Sequence, residues 1–137
     1  MSSKVQFQYS NSRFPSLPMV NVVVKSAFGK SDHFKKGKID TGADGTTIPE
    51  DLVQPLELKP TGKVWVRDVN GGRKRRNTYD VYLTIDSIDF DLVQVTATPR
   101  DNVLIGRNLI NLWYLKLDGQ NLTGELIPWS TDPSDVK

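Results

Sequence analysis

The amino-acid sequence predicts a mostly-β protein whose strands close into a barrel-like or sandwich-like sheet. Its apolar runs are short and rich in β-branched residues, and glycine, proline, asparagine and aspartate separate them at short intervals. Only one stretch, residues 106–112, repeats apolar residues at helical spacing. The length of 137 residues fits one domain with a modest core. We therefore expect an all-β domain with one short helix in its C-terminal half.

Three segments divide the chain. Residues 1–18 contain two prolines and several serines with little periodicity, which indicates an N-terminal arm. Residues 19–127 hold the apolar runs and form the domain. Residues 128–137 are polar, and we expect them to form a flexible tail.

The domain begins with two predicted strands. Residues 19–25 form a short β-branched run, which is typical of a strand. Residues 34–39 alternate lysines on one face with Gly37 and Ile39 on the other. This alternation predicts a strand that has its inner face on the side of Gly37 and Ile39 and that leads directly into Asp40.

Turn residues and apolar spacing place the later elements. Pro55 and Pro60 argue against a long helix between residues 48 and 62. The predicted elements are one helical turn at 48–52, a strand at 64–69, a tight turn at 70–72, a return strand at 73–85, a strand at 88–96, an apolar strand at 103–105, the helix at 106–112 and a closing hairpin at 113–127.

The composition excludes several classes of function. A chain without cysteine has no disulfide, no thiolate nucleophile and no cysteine-bound metal. Its one histidine, His33, cannot form a multi-histidine metal site. The first residues lack the apolar core of a signal peptide, and no apolar run approaches the length of a membrane span. We therefore expect a soluble, cytoplasmic protein with no membrane partner.

The stretch Asp40-Thr41-Gly42-Ala43-Asp44 leaves a carboxylate in a tight turn at the end of a buried strand. Burial of a lone carboxylate costs on the order of several kcal/mol unless the group is hydrogen-bonded or shares a proton. Thr41 brings a hydroxyl that can brace the backbone, and Gly42 allows backbone or ligand to approach closely. Asp-x-Gly alone is a common turn, but the longer pattern is much more specific.

A second segment, residues 103–110, is a short apolar strand followed by Gly106 and a helix start. Its glycine lies 66 residues after Asp40. Together the two segments resemble the paired halves of a retropepsin, the single-domain aspartic protease of the retroviral type. The resemblance extends over residues 19–127 and is closer to members of cellular origin, because the chain continues past the helix with a hairpin. The sequence shows no clear counterpart of the short terminal strand that holds retroviral dimers together.

This resemblance implies an acid-protease half-fold, which is a closed, barrel-like, all-β domain with a flap hairpin and one short helix. It implies that Asp40 is the catalytic residue. The residues that would support the catalytic loop and contact the substrate backbone are Thr41, Gly42, Ala43 and Asp44. Arg107 would pair with the Asp44 carboxylate and hold the loop against the helix. The alternative for Arg107 is a surface cation of little energetic value.

The resemblance also implies that the hairpin at 66–79 is a flap that closes over a bound peptide. The tip of this flap would consist of Asn70, Gly71 and Gly72. An ordinary exposed hairpin is the alternative. Four basic residues, 73–76, follow the tip and are either a solvated edge or part of the cleft. By strand parity Arg73 and Arg75 would lean towards the cleft and favour acidic substrate side chains.

Contact with nucleic acid is a third interpretation of the basic run. The chain has 18 basic and 16 acidic residues, which gives a net charge of only +2, and no aromatic residue interleaves the run. The sequence therefore argues against nucleic acid as a partner.

The chain contains a single Asp-Thr-Gly stretch, and the second segment has glycine and arginine where a second acid would be needed. Peptide hydrolysis by carboxylates requires one ionised and one protonated group. Two-fold symmetry supplies the missing acid if Asp40 of each chain meets at the axis of a homodimer. The sequence thus predicts a homodimeric aspartic endopeptidase that acts on polypeptides and needs no metal or organic cofactor. The alternative is a catalytically silent module of the same fold that binds peptides or dimerises.

Overall fold

Ten β-strands make up most of the structure within residues 4–26, 31–67 and 69–128, the parts of the chain that the computed structural model describes. The strands are β1 (Val5–Gln8), β2 (Met19–Lys25), β3 (Asp32–Ile39), β4 (Thr46–Pro49), β5 (Gly62–Arg67), β6 (Arg73–Ile85), β7 (Ile88–Thr98), β8 (Val103–Ile105), β9 (Trp113–Asp118) and β10 (Thr123–Pro128). A 3-10 turn, Glu50–Leu52, follows β4, and helix α1, Arg107–Ile110, follows β8.

Six of these strands close into a barrel in the order β2-β3-β8-β4-β7-β6, because β6 pairs back onto β2. β3 runs parallel to β8, and β4 runs parallel to β7. Closure removes the free sheet edges that would otherwise pair with other chains. The seventh strand, β5, pairs with the first half of β6 and forms a hairpin. The predicted fold class, an all-β closed barrel with one short helix, is confirmed.

Alternating residues of the barrel strands fill its interior. Val22 and Val24 of β2, Val81 and Leu83 of β6, and Ile105 of β8 are fully buried. The residues between them point outward, as the two-residue period of a strand requires. Each fully buried aliphatic side chain contributes about 1.5–3 kcal/mol, so this core drives folding of the barrel.

Helix α1 is shorter than the stretch 106–112 that the apolar spacing predicts. Leu109 and Ile110 are buried, but the chain turns after Ile110 and leaves Leu112 exposed. Trp113 is buried again as the first residue of β9. The apolar spacing in this stretch therefore combines a single helical turn with the start of a strand.

The remaining three strands form a second sheet in the order β1-β10-β9. β1 lies within residues 1–18, where the sequence indicated an irregular arm. Val5 and Phe7 of β1 are buried and the glutamines between and after them are exposed. Phe7 stands opposite Gly124 of β10, and a Cβ at that glycine would lie 2.3 Å from the Phe7 ring. The absence of a side chain at this position thus makes room for the anchor of the first strand.

The predicted closing hairpin corresponds to β9 and β10. The predicted helical turn at 48–52 begins two residues late, because Ile48 and Pro49 belong to β4. The predicted tail, apart from Pro128, lies outside the described residues. In the described ranges no helix has both the length and the apolar character needed to cross a membrane.

Candidate active site

Asp40 is the first residue after β3, and the barrel fixes its backbone. Ile39 pairs with Ile105 in the parallel contact between β3 and β8. The Asp40 N–H then donates to the Ile105 carbonyl over 3.0 Å. The two segments that the sequence analysis singled out therefore lie side by side, and the carboxylate emerges at the end of a strand pair.

The Asp40 carboxylate is half-buried, which differs from the buried position that its strand predicts. Its Oδ1 accepts a hydrogen bond from the Gly42 N–H over 2.9 Å. The next two residues, Thr41 and Gly42, are exposed, so the loop itself does not cover the carboxylate. Within the described residues no cation lies at ion-pair distance from Asp40.

The rest of the loop is a tight turn that helix α1 holds in place. The Ala43 N–H donates to the Asp40 carbonyl over 3.2 Å and closes the turn. The Arg107 N–H donates to the Ala43 carbonyl, and the Asn108 N–H donates to the Asp44 carbonyl. These two N–H groups belong to the first turn of α1, where a helix has no internal acceptors for them. The loop at 40–45 thus caps the helix.

The Arg107 side chain adds a second connection between helix and loop. Its Nη1 donates to the Thr41 carbonyl over 2.9 Å, and its Nη2 donates to Asp44 Oδ1. The Asp44 side chain is 95% exposed and that of Arg107 is 41% exposed. An exposed pair of this kind contributes about 0–1 kcal/mol to stability, so its main effect is to fix the loop conformation.

Thr46 and Asn108 form a buried connection that the sequence analysis did not identify. Thr46 is buried, and its Oγ1 donates to Asn108 Oδ1 over 2.7 Å while it accepts from the Gly106 N–H over 3.2 Å. Asn108 Nδ2 donates to the Gln94 carbonyl over 3.2 Å. The one sequence signal was a pair of hydroxyl residues, Thr46 and Thr47, at the start of the strand that follows the loop.

The hairpin of β5 and β6 carries the predicted flap tip. All three tip residues are exposed, and they are Asn70, Gly71 and Gly72. Gly71 has φ +82°, a left-handed conformation that favours glycine. The neighbouring Val69 is fully exposed. Asp68 lies outside the described residues.

The two faces of this hairpin differ in exposure. The half-buried face, which turns towards the rest of the chain, carries Val64, Val66 and Arg76. The opposite, exposed face carries Arg73 and Arg75. The expectation that these two arginines lean towards the cleft stays a prediction, because exposure of a side chain does not locate the cleft. The pairing of β6 is regular from Arg73 to Val81, although Thr78 and Tyr79 are both buried where the hairpin leaves the barrel.

A cavity of about 340 Å³ lies at the base of the hairpin. Its lining residues are Glu50, Val53, Arg76, Asn77, Tyr79 and Ala97. None of them belongs to the loop at 40–45, so this cavity is separate from the Asp40 carboxylate.

The loop at 40–45 of a single chain therefore supplies one half-buried carboxylate, Asp40, that is not paired with a cation. Hydrogen bonds hold this loop at both ends. The other carboxylate of the loop, Asp44, is bound to Arg107. General acid and base catalysis by two carboxyl groups needs a second acid beside Asp40.

The chain is similar to known proteins in sequence and in fold. Residues 20–109 match the model of a protein family described as aspartyl protease. The structure is similar to the crystal structure of a retropepsin-like aspartic protease from Rickettsia conorii, with a TM-score of 0.61 and 15% sequence identity. That similarity covers 93% of this chain and 92% of the Rickettsia chain, and it concerns the fold. No curated protein sequence matches the chain.

Proposed function

The chain belongs to the aspartyl protease family, and on this premise we propose that it is an endopeptidase in which Asp40 residues of two chains activate water. The observation that carries the proposal is the half-exposed Asp40 on a loop clamped by α1. One loop provides one carboxylate, and an isologous dimer provides two at its symmetry axis.

Two carboxyl groups close together cannot both ionise, so the pair holds a single proton. The ionised group accepts a proton from water, and the protonated group polarises the peptide carbonyl and later donates to the leaving amine. The chain's own residues prepare this arrangement. Gly42 N–H holds one oxygen of Asp40, and Arg107 keeps Asp44 from competing as a free carboxylate near the loop.

The other predicted site residues take supporting roles in this proposal. Thr41 is exposed and would face its counterpart in the partner chain, where its hydroxyl braces the two loops. Gly42, Ala43 and Asp44 would line the cleft and bind substrate backbone. The tip at Asn70, Gly71 and Gly72 would close over the peptide and exclude water.

Subunit mixing tests both the reaction and the dimer. We expect the wild-type chain to cleave an unfolded protein at mildly acidic pH, and Asp40→Asn to abolish cleavage. Equal amounts of wild type and Asp40→Asn, allowed to exchange subunits, should leave roughly one quarter of dimers with two aspartates. The activity per wild-type chain should then fall to about one half of its unmixed value.

Asp101→Asn is the matched control, because Asp101 is an exposed loop acid away from the site. It should cleave normally, and mixing it with wild type should leave the activity per total amount of chain unchanged. Unchanged activity on mixing with Asp40→Asn, despite exchange shown by mass spectrometry with an isotope-labelled variant, would contradict a dyad shared between chains. A dimer that binds peptides and never cleaves them would instead indicate the catalytically silent module.

A further inference from the structure

Positive charge is concentrated in the hairpin. Residues 62–78 contain six of the 18 basic residues and one of the 16 acidic residues. The remainder of the chain has 12 basic and 15 acidic residues and is therefore net negative. The net charge of the whole chain, only +2, does not reveal this separation of basic and acidic residues.

The strand register brings most of the basic residues to one face, which we call the outer face. Trp65 pairs with Arg75, Arg67 pairs with Arg73, and Lys63 lies on the same side of β5. All five side chains are exposed. Like charges directly opposite each other on neighbouring strands are destabilising, so the Arg67–Arg73 pair lowers the stability of the hairpin.

Trp65, the tryptophan of the outer face, contacts two of its arginines. The Arg73 Cζ lies 5.1 Å from the centroid of the Trp65 ring, and the Arg75 Cζ lies 5.7 Å from it. These distances are those of cation–π contacts. Trp65 nevertheless remains 59% exposed. The basic run at 73–76 contains no aromatic residue in sequence, but the fold brings one against it from the neighbouring strand.

The two guanidinium groups keep their N–H edges available. Among the residues that the structure describes, neither Arg73 nor Arg75 takes part in an ion pair with a carboxylate. A guanidinium presents a planar set of donors suited to carboxylate or phosphate oxygens. The outer face therefore fits an anionic partner.

We propose that the outer face of the hairpin, formed by Lys63, Trp65, Arg67, Arg73 and Arg75, is a docking site for acidic segments of polypeptide substrates. This inference rests on the proposed peptidase function, which makes a polypeptide the ligand. The paired part of β5 spans about 20 Å, given a rise of about 3.3 Å per residue. A short acidic segment fits that length, whereas a long nucleic acid would extend beyond it over the net-negative remainder of the chain.

Binding to an inactive chain tests the docking site without requiring catalysis. The probes are three labelled 12-residue peptides of one sequence, in which the variable positions are all Glu, all Gln or all Lys, and a single-stranded oligonucleotide with as many charges as the Glu peptide. Fluorescence anisotropy measures their affinity for the full-length Asp40→Asn chain at low salt. We expect the Glu peptide to bind at least tenfold more tightly than the Gln peptide, which corresponds to about 1.4 kcal/mol. The Lys peptide should not bind.

The double variant Arg73→Ala plus Arg75→Ala, in the Asp40→Asn background, should lose this preference. The control double variant Lys59→Ala plus Arg100→Ala removes the same charge from exposed positions outside the hairpin and should keep it. Equal affinity for Glu and Gln peptides, or an equal loss in both double variants, would overturn the proposal. Tighter binding of the oligonucleotide than of the Glu peptide would also overturn it and identify a nucleic-acid site.

Self-association through the outer face is a further outcome that would overturn the proposal. It would appear in light scattering as oligomers of the wild type that the Arg73→Ala plus Arg75→Ala variant does not form. Failure of the peptidase proposal is distinguishable from all of these results. It would appear as lack of cleavage of every substrate by the wild-type chain, whatever the peptide affinities of Asp40→Asn.

Discussion

The backbone of Gly45 occupies the space that a side chain at Gly106 would need: a Cβ built on Gly106 would lie 2.3 Å from the Gly45 carbonyl oxygen and 2.5 Å from its carbonyl carbon. This contact brings the end of the loop at 40–45 onto the residue before α1. Because both partners are backbone, neither can move aside cheaply.

Gly106→Ala should therefore reduce both stability and activity. Overpacking of this kind costs on the order of 1–3 kcal/mol, and here it also displaces the loop that carries Asp40. Urea unfolding and a peptide-cleavage assay measure the two effects. Gly119→Ala, in the turn between β9 and β10, is the control, because nothing lies within 4 Å of a Cβ there. Its stability should change by less than about 1 kcal/mol. Equal effects of the two substitutions would contradict the argument.

Arg107→Lys should loosen the loop at 40–45 while it retains the positive charge. A lysine ammonium can reach Asp44 or the Thr41 carbonyl, but it does not reproduce the planar fork that contacts both. We expect stability to fall by less than about 1 kcal/mol, because the pair is exposed. Hydrogen exchange at the Ala43 amide should become faster, and cleavage should become slower. Arg100→Lys, at an exposed loop position, is the control and should change neither quantity.

Thr46→Val should lower the free energy of unfolding by about 1–3 kcal/mol, because it removes a buried hydroxyl that is hydrogen-bonded to both Asn108 and the Gly106 N–H. Its neighbour offers a matched control. The Thr47 hydroxyl is also buried but has no hydrogen-bond partner. Thr47→Val should therefore be neutral or stabilising. If both substitutions destabilise the protein equally in thermal unfolding, the Thr46 hydrogen bonds do not carry the effect.

The Asp118 carboxyl should make the free energy of unfolding depend on pH in acidic solution. The backbone N–H of Asn121 lowers the pKa of this carboxyl below its ordinary value of 3.8, with further lowering by the Asn121 side-chain amide and the Gln120 N–H. Because the pKa is lower in the folded state, the stabilisation is present above the ordinary pKa and is lost as pH falls through the folded value. The relevant window therefore lies below pH 3.8.

Asn121→Ala should raise the pKa of Asp118 and reduce this loss of stability, as measured by NMR titration and by unfolding at a series of acidic pH values. Gln120→Ala is the control. It removes a side chain but keeps the backbone N–H that donates to Asp118, so the pKa of Asp118 should not move.

Phe7→Ala should destabilise the protein by about 3–5 kcal/mol, because the ring is buried between the two sheets of strands. Phe14→Ala, at a side chain that is 97% exposed, should change stability by less than about 0.5 kcal/mol. Chemical denaturation of both variants provides the measurement. A small effect of Phe7→Ala would mean that β1 is not part of the cooperative unit.

Local patterns were sufficient to predict the strands that carry the site. The run at 19–25 coincides with β2, and the approach to Asp40 has the predicted alternation, with Gly37 and Ile39 buried. The closing hairpin was also predictable, because its partners are close in sequence and its turn contains Asp118 and Gly119. These elements depend on residues within about 15 positions of each other, as between Trp113 and Pro128.

Elements that depend on distant partners were missed or misjudged. β1 pairs with β10, so Val5 meets Leu126 across almost the whole chain. The alternation of Val5 and Phe7 with glutamines was a usable signal, but two nearby prolines obscured it. The stacking of Arg73 and Arg75 on Trp65 depends on hairpin register, which a run of basic residues does not reveal.

Strand β6 continues without interruption for 13 residues, from the tip of the hairpin into the wall of the barrel. The β6 arm of the hairpin therefore has no loop at its base, where Thr78 and Tyr79 are buried. Any swing of the tip must twist the strand itself. A displacement of the arginine-bearing tip would therefore be transmitted along β6 into the wall of the barrel.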